Sequence, residues 1–480
     1  MPLRELMEEF GPRATDSAFE REFYARDLAY VPDFLLNLLA RPVPDAVVRP
    51  VTAEEVSSVL RWAAREDVPV TARGGGSTAY GNAVPARGGI VLDLNGLQGV
   101  REIDPAAGRA WVAAGTTWLE LDRELGRHGL AICAYPSSAP SATVGGWISM
   151  GGLGIGSLRY GPVESLLEEL EVVLPDGRIL RATGETEPPL GWFCGAEGTL
   201  GVVTGARLRL RARPEAEGHC LAEGGSLAQL AELAASLVAE LGPVLFNLHA
   251  NTGAYNRWLA AAGHGGSGKP TLSVDFDGSR VEVERAEVAV RALAGRAGGA
   301  LLSPDEAREE WEGRFESLRV KRERPALLGA EMRLPLGRFS SYAEGCDALA
   351  RRQKLEIATY GHVVSPAEVV AMSLYPTDER RTARYLLDTS LLRELYGLGA
   401  RLGGAPYAIG LWNTPYLGNA WSPQELAEKR RRKARLDPKG LLNPGKYYAA
   451  PLLLSPALFS VGMRVFSSVR RLAPSSGGRR

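Results

Sequence analysis

The sequence predicts an α+β protein of more than one domain. The chain has 480 residues, enough for two or three domains of ordinary size. Its composition, 45% apolar and 23% charged, is typical of globular proteins. Stretches rich in β-branched residues alternate with stretches of helical apolar spacing. We divide the chain into an N-terminal helical extension (1–44), a first domain (45–214), a second α+β domain (215–422), a return segment (423–450) and a C-terminal tail (451–480).

The composition excludes several classes of protein. Lys plus Arg equals Asp plus Glu at 56 each, so no global field favours nucleic acid. The four cysteines are far apart and form no CxxC pair, which favours a reduced compartment over a disulfide framework. The charged N-terminus is unlike a signal peptide, and we find no run of 18 apolar residues. We therefore expect a cytoplasmic protein.

The elements of the first domain follow from local patterns. Thr52 is a typical N-cap for a helix from Ala53 through Ala64, and Pro175-Asp176-Gly177 is typical of a hairpin turn. A strand at 68–71 runs directly into a glycine loop. Further strands and one helix are predicted at Ile90–Asn95, Arg109–Gly115 and Thr117–His128.

The second domain mixes helices with strands. The strands include PTLSVDFDG and EMRLPLGRF, and a cation-rich helix follows Pro423. The predicted helices are Leu227–Leu241, Glu282–Gly298 and Ser303–Arg319.

Glycine is the outlier of the composition, with 56 residues. Three glycines follow the strand at 68–71, between Arg73 and Ser77-Thr78, where converging backbone N–H groups can hold an anion such as a pyrophosphate. A plain flexible turn is the competing interpretation. The passage GGLGIG at 151–156 lacks the preceding strand and following helix of a nicotinamide-binding fingerprint, which disfavours that class of site.

Seven motifs in a fixed order resemble a known family. They are VVRPVTAEEV, PVTARGGGST, YPSSAPSATVGG, LRYGPVESL, EVVLPDGRIL, GAEGTLGVVT and LDPKGLLNPGKYY. In this order the chain resembles the FAD-linked oxidases of the vanillyl-alcohol-oxidase type, within them the D-lactate and glycolate dehydrogenase branch. The resemblance implies a two-part FAD-binding domain of the PCMH type, at 45–214, and an α+β substrate or cap domain.

The resemblance also implies which residues contact FAD. The first loop would wrap the pyrophosphate, the second would line the flavin and pyrophosphate, and the motif EGTLGVV would approach the adenine side. The residues so assigned are Arg73, Gly74, Gly75, Gly76, Ser77, Thr78, Pro136, Ser137, Ser138, Thr143, Gly145, Gly146, Tyr160, Gly161, Glu197, Gly198, Gly201, Val202, Val203 and Asn443.

The metal ligands of this branch are not matched. Metal-assisted members carry a glycine–histidine segment that ends in a second histidine, and later a Glu-His pair. Here Tyr360-Gly361-His362 is followed by Val-Val-Ser, and residues 404–410 read GAPYAIG. We therefore expect no metal, and the departure weakens any transfer of substrate identity.

The candidate catalytic residues lie in the second domain. His362 could accept the proton of a substrate hydroxyl, although a lone histidine is about as often structural as catalytic. Arg333 is preferred over Arg314 and Lys321 as partner of a substrate carboxylate, since it lies on a predicted strand. Tyr407 could line the pocket, with Trp412 and Asn413 nearby, or all three could belong to the core.

The tail has a character of its own. Residues 451–480 contain five arginines and no acidic residue. Between Leu458 and Leu472 apolar residues recur on one helical face, which is typical of a basic amphipathic helix. The tail helix could contact a membrane surface, an electron-transfer protein or the body of this protein itself. Contact with a membrane implies a peripheral position on its inner face.

These observations leave three functional hypotheses. The leading one is an FAD-dependent dehydrogenase that moves a hydride from a small D-2-hydroxy acid to flavin N5 and passes electrons to a quinone or protein acceptor. A second is an alkylglycerone-phosphate-synthase-like flavoenzyme, whose histidine-rich segment is not visible here. A third is a non-catalytic or electron-relay flavoprotein subunit, which the unmatched metal ligands and the tail favour.

We predict that FAD is bound non-covalently. Covalent members of the family carry a histidine in the first loop, whereas this chain has Ser77 there and no His or Cys between Arg73 and Gly81. Acid precipitation should therefore release the yellow colour into the supernatant. Flavin that stays in the pellet after washing would refute this prediction.

Overall fold

The structure is a computed structural model that describes residues 2–29, 31–263, 268–323, 325–447 and 451–472. The chain forms two compact units, each assembled from separate stretches. The first unit contains Met1–Leu153, Pro162–Arg213 and Ala408–Ser455; the second contains Gly154–Gly161, Pro214–Tyr407 and Pro456–Arg480.

Helices occur in both units. In chain order they are α1 (Pro2–Phe10), α2 (Ala18–Tyr24), α3 (Asp33–Leu39), α4 (Ala53–Glu66), α5 (Trp118–Gly126), α6 (Val144–Ser149), α7 (Ser157–Tyr160), α8 (Leu227–Leu241), α9 (Gly253–Ala261), α10 (Arg280–Arg296), α11 (Pro304–Glu312), α12 (Phe339–Gln353), α13 (Thr382–Arg401), α14 (Leu417–Ala420), α15 (Pro423–Leu436) and α16 (Pro456–Leu472). Among the described helices, none is both long enough and apolar enough to cross a bilayer.

The strands, in the same order, are β1 (Ala14–Thr15), β2 (Ala46–Val48), β3 (Val70–Arg73), β4 (Ile90–Asp93), β5 (Val100–Asp104), β6 (Arg109–Ala113), β7 (Leu130–Ala131), β8 (Leu167–Val173), β9 (Ile179–Ala182), β10 (Val202–Arg209), β11 (Arg211–Ala212), β12 (Ala216–Glu223), β13 (Leu245–Asn251), β14 (Thr271–Gly278), β15 (Ala300–Leu301), β16 (Ala326–Pro335), β17 (Ala358–Ser365), β18 (Glu368–Thr377) and β19 (Ala405–Pro406).

The predicted start of α4 and both predicted ends of α8 are confirmed. The Thr52 hydroxyl accepts a hydrogen bond from the Glu55 N–H at the start of α4, and α8 spans the predicted residues. The helix predicted at Ser303–Arg319 begins at its Ser303 cap but ends at Glu312. Gly313 follows, and the chain continues in short 3₁₀ turns, because glycine lowers helix stability at that point.

The first unit contains two main sheets. One has the order β1-β2-β4-β3, with β2 and β3 both parallel to β4, and α4 connects β2 to β3. The other has the order β5-β6-β10-β8-β9 and contains the predicted hairpin, in which Leu174 N–H donates to the Arg178 carbonyl. The glycine loop follows β3 and therefore lies at the edge of the sheet where the parallel strands β2, β3 and β4 have their carboxyl ends.

The second unit is built on one antiparallel sheet of eight described strands. Their order in the sheet is β15-β12-β14-β13-β17-β18-β16-β19. Strands β13 and β17 are neighbours in its middle, with the register His249 opposite His362. Helices α8, α10, α12 and α13 pack on the sheet, α7, α9 and α11 also contact it, and α16 packs on α13.

Two features of the chain's path differ from the predicted division. The chain rejoins the first unit at Ala408, before the predicted return segment at 423. The short segment Gly154–Gly161 belongs to the second unit, because Arg159 donates hydrogen bonds there to the Leu245 and Val244 carbonyls and forms an ion pair with Asp277. One arginine therefore fixes α7 against β13 and β14.

Candidate active site

The glycine loop after β3 lies against the segment that precedes α6. A Cβ added to Gly74 would stand 2.2 Å from Thr143 Oγ1, and one added to Gly75 would stand 1.8 Å from the Ser141 carbonyl oxygen. Both distances are far below van der Waals contact, so only glycine allows the two segments to approach this closely. The structure thus brings together the first and second predicted cofactor loops.

The loop presents hydrogen-bond donors with no protein partner. The backbone N–H groups of residues 74–78 donate no hydrogen bond within the described chain. Gly76 has a positive φ of 60°, which turns the backbone inside the loop. Unpaired N–H groups at one turn form a positive concavity suited to phosphate oxygens. The residues present therefore fit the pyrophosphate of FAD.

The second loop is held by the helix cap of Thr143 and by a backbone hydrogen bond to Ala114. Thr143 caps α6 by accepting from the Gly146 N–H, and Gly145 N–H donates to the Ala114 carbonyl. A Cβ at Gly145 would approach the Ala114 Cβ to 2.6 Å. Residues 136–139 form a turn in which Ala139 N–H donates to the Pro136 carbonyl, so Ser137 and Ser138 lie at its tip.

Other predicted cofactor residues have contacts inside the protein. The Arg73 guanidinium donates to the Arg26 carbonyl and lies over the Tyr24 ring, 5.3 Å from its centroid. Thr78 Oγ1 donates to Asn82 Oδ1 at 2.5 Å. Val202 and Val203 are buried at the start of β10. These contacts give Arg73 and Thr78 a loop-shaping role, and their contact with FAD stays a prediction.

Glu197 is the centre of a buried polar network. Its carboxylate accepts hydrogen bonds from the N–H groups of Ile409 (3.2 Å) and Gly410 (2.8 Å). Its carbonyl accepts from Asn443 Nδ2 at 2.5 Å. A Cβ added to the neighbouring Gly198 would lie 3.9 Å from the Ala72 Cβ on β3. The network therefore joins the EGT motif, the return segment and the strand that bears the glycine loop.

Lys446 extends this network. Its ammonium donates to the Val84 carbonyl at 2.6 Å and to Asn443 Oδ1. Burial lowers the pKa of Lys446 to about 7, while the charges of Glu197 and Asp27 oppose that shift. Burial likewise raises the pKa of Asp27 to about 6, against hydrogen bonds from the Ala29 and Gly81 N–H groups. The sequence predicted a cofactor role for Asn443 but indicated none for Asp27.

The second unit contains a cavity of about 70 Å³ beside β13 and β17. A cavity of about 150 Å³ accommodates a benzene-sized molecule, so this one suits a ligand of few heavy atoms. Ile155, from the segment next to the predicted cofactor residues Tyr160 and Gly161, forms part of its wall. Its polar lining includes Asn247, His249, Asp275, Glu310, Arg314 and His362.

Two histidines meet in this cavity. The ring centroids of His249 and His362 are 4.2 Å apart, and this pairing follows from their opposite positions on β13 and β17. His249 Nε2 and His362 Nδ1 are both buried without a hydrogen-bond partner in the described chain. Tyr360 and Tyr255 pack around the pair, and Tyr255 is held by a hydrogen bond from its hydroxyl to the Ser317 carbonyl.

Both imidazoles are neutral at physiological pH. Burial lowers the pKa of His362 to about 4, and burial together with the neighbouring His362 lowers the pKa of His249 well below its usual value. A depressed pKa keeps the ring unprotonated at every pH above it. The pair therefore offers neutral nitrogen atoms that can accept a proton.

Two of the acidic residues in the lining, Asp275 and Glu310, accept hydrogen bonds from neighbouring side chains. Asp275 accepts hydrogen bonds from His219, Asn247 Nδ2 and Ser273 Oγ, with distances from 2.8 to 3.1 Å. Glu310 accepts from Asn251 Nδ2 at 3.1 Å, and its burial raises its pKa.

Arg314 is the arginine of the cavity. Its guanidinium lies over the rings of Trp311 and Phe315, and one amino group donates to the Trp311 carbonyl at 2.8 Å. Its Nε is buried and without a partner in the described residues. The preferred candidate, Arg333, is instead half-exposed on β16 in a two-point ion pair with Glu368.

The remaining candidates lie outside the cavity lining. Tyr407 N–H donates to the Glu331 carbonyl beside β19. Asn413 is buried and donates to the Ala408 carbonyl within its own segment, and Trp412 packs near Gly81. A catalytic role for Tyr407 and Arg333 remains a prediction. No group of three or more His, Cys, Asp or Glu in the described chain is arranged to hold a metal ion.

Family models match most of the chain. The model described as "FAD binding domain" matches residues 44–183, and the model described as "FAD linked oxidases, C-terminal domain" matches residues 220–447. This chain belongs to the FAD-linked oxidases. The first match contains both glycine loops, and the second contains His249, Arg314 and His362.

Relatives of this FAD-linked oxidase include a D-lactate dehydrogenase of Archaeoglobus fulgidus, 30% identical over 83% of this chain and 90% of that protein. The glycolate oxidase subunit GlcD of Bacillus subtilis is 27% identical over 85% of this chain and 89% of that protein. The structure of p-cresol methylhydroxylase matches with a TM-score of 0.79 and 16% identity over 93% of this chain and 96% of that one. The predicted family and PCMH-type fold are confirmed.

His249 is not predicted as a site residue from the sequence, because no motif surrounds it. One signal for His249 is present in the sequence. The segment NLHAN resembles a strand that carries a histidine among mainly apolar residues, as YGHVV does. Only the pairing of β13 with β17 places the two histidines together.

We predict that Gly75→Ala weakens FAD binding in this oxidase. The new Cβ would overlap the Ser141 carbonyl, so the two loops must separate at a cost of about 1–3 kcal/mol. The dissociation constant for FAD should rise about tenfold or more, measured by fluorescence titration. Gly184→Ala is the matched control, since nothing lies within 4 Å of its Cβ position. Equal FAD affinity of the two variants would contradict the prediction.

Proposed function

We propose that this FAD-linked oxidase is a dehydrogenase of small D-2-hydroxy acids. The observation that carries the proposal is the pair of neutral histidines in a small cavity that also contains Arg314. The similarity to a D-lactate dehydrogenase and to a glycolate oxidase subunit supports the substrate class. We further propose that the electrons pass from the reduced flavin to a quinone or protein acceptor.

FAD, held by residues 74–78 and by the loops around Pro136–Ser138 and Thr143–Gly146, would supply the hydride acceptor for the substrate C2 hydrogen. His362 accepts the hydroxyl proton on Nδ1 as the C–O bond becomes a carbonyl, giving a 2-oxo acid. Its low pKa ensures that the ring is unprotonated before the substrate arrives.

His249 supports the proton acceptor. With its ring centroid 4.2 Å away and its Nε2 unpaired, it can share the proton that His362 takes up and stabilise the imidazolium. Arg314 pairs with the substrate carboxylate through its unpaired Nε; we prefer it to Arg333, whose donors bond Glu368. The carboxyl groups of Asp275 and Glu310 accept hydrogen bonds from Asn247 and Asn251, so they line the cavity without pairing with Arg314.

Reduction of the bound flavin by D-lactate tests the proposal. Anaerobic titration of the purified chain should bleach the flavin band, and L-lactate should leave it unchanged at the same concentrations. A flavin band that persists with D-lactate, glycolate and larger D-2-hydroxy acids would contradict the proposal and favour the relay-subunit hypothesis.

We predict that His362→Ala slows flavin reduction by at least about tenfold, since a general base contributes about 10²–10⁴. Single-turnover stopped-flow absorbance measures the step directly. His128→Ala, at an exposed position after α5, is the matched control and should leave the rate unchanged. A wild-type rate in His362→Ala would remove this histidine from the mechanism.

A further inference from the structure

The C-terminal helix α16 leaves an apolar row uncovered. The helix has 17 residues and is about 25 Å long. One side packs on α13, where Met463 is buried and its sulfur accepts a hydrogen bond from Thr389 Oγ1. The packing side is therefore already occupied by the second unit itself.

The uncovered row, called here the exposed stripe, consists of Leu458, Val461, Val465 and Val469. Their spacing of three and four residues places them along one face of the helix. Their side chains are between 47% and 59% exposed. Four large apolar residues in a continuous row are more than scattered surface residues, and such a row indicates an interaction surface.

The charged residues of the tail's own sequence are all basic. Residues 451–480 contain five arginines and no Asp or Glu, and exposed Arg464 borders the stripe. Basic residues beside an apolar helix face are complementary to anionic lipid headgroups above an acyl interior. A helix with this division of apolar and basic residues lies in the plane of the membrane interface.

We propose that α16 binds the surface of an anionic membrane, with the exposed stripe inserted between the headgroups. Arg464 and the other arginines of the tail sequence favour anionic lipid, and insertion of the stripe supplies apolar burial. A groove on another protein would bury the same four residues, but the absence of any acidic residue from the tail sequence favours anionic lipid.

Vesicle sedimentation tests the proposal on the full-length protein with FAD bound. Vesicles of phosphatidylcholine with about 30% phosphatidylglycerol should pellet the protein, and pure phosphatidylcholine vesicles should pellet little. Binding to the anionic vesicles should weaken as salt concentration rises. The double variant Val461→Glu/Val465→Glu should lower the bound fraction at least about tenfold, because it places carboxylates within the stripe.

The matched control is Val281→Glu/Val288→Glu on α10, whose two valines are 53% and 71% exposed on another helix of the same unit. It should pellet like the wild type. Equal pelleting of the two double variants, or no pelleting of the wild type with anionic vesicles, would overturn the proposal. If gel filtration then shows a wild-type dimer that only Val461→Glu/Val465→Glu dissociates, a second copy of the chain covers the stripe.

Discussion

The buried hydrogen bonds of Glu197 are the constraint on which the first unit depends. The chain leaves that unit at Arg213 and rejoins it only at Ala408, so the return segment must be held by tertiary contacts. The Glu197 carboxylate satisfies the Ile409 and Gly410 N–H groups, while Asn443 and Lys446 satisfy carbonyls of the segments around it. Removing this carboxylate would leave two buried N–H groups unpaired, which typically costs about 1–3 kcal/mol each.

The same network helps to hold the strand from which the glycine loop extends. Asn443 N–H donates to the Val70 carbonyl, so the return segment also lies along β3, which delivers the glycine loop. With the strand fixed, Gly74 and Gly75 can approach Thr143 and Ser141 without side chains between them. The backbone N–H groups of residues 74–78 then have no acceptor within the described chain and are available to a ligand.

Local chemistry made much of the fold predictable. Hydroxyl caps at Thr52 and Ser303, the turn at Pro175-Asp176-Gly177 and the glycine loop each depend on a few adjacent residues, which the sequence displays directly. The choice between Arg314 and Arg333 could not be made locally. Arg333 sits on a strand as expected, but its partner Glu368 comes from the neighbouring strand β18. The position of His249 beside His362 likewise depends on the pairing of β13 with β17, which the local sequence does not show.

The neutral histidine pair has a consequence for turnover. Two imidazoles whose centroids are 4.2 Å apart, in surroundings that penalise charge, hold one added proton far more easily than two. A pair that takes up the substrate hydroxyl proton, as proposed, therefore has room for one proton only. In the proposed dehydrogenase mechanism, each cycle must therefore release this proton before the next hydroxyl can be deprotonated, so proton escape to solvent is a step of that mechanism alongside the reoxidation of the cofactor.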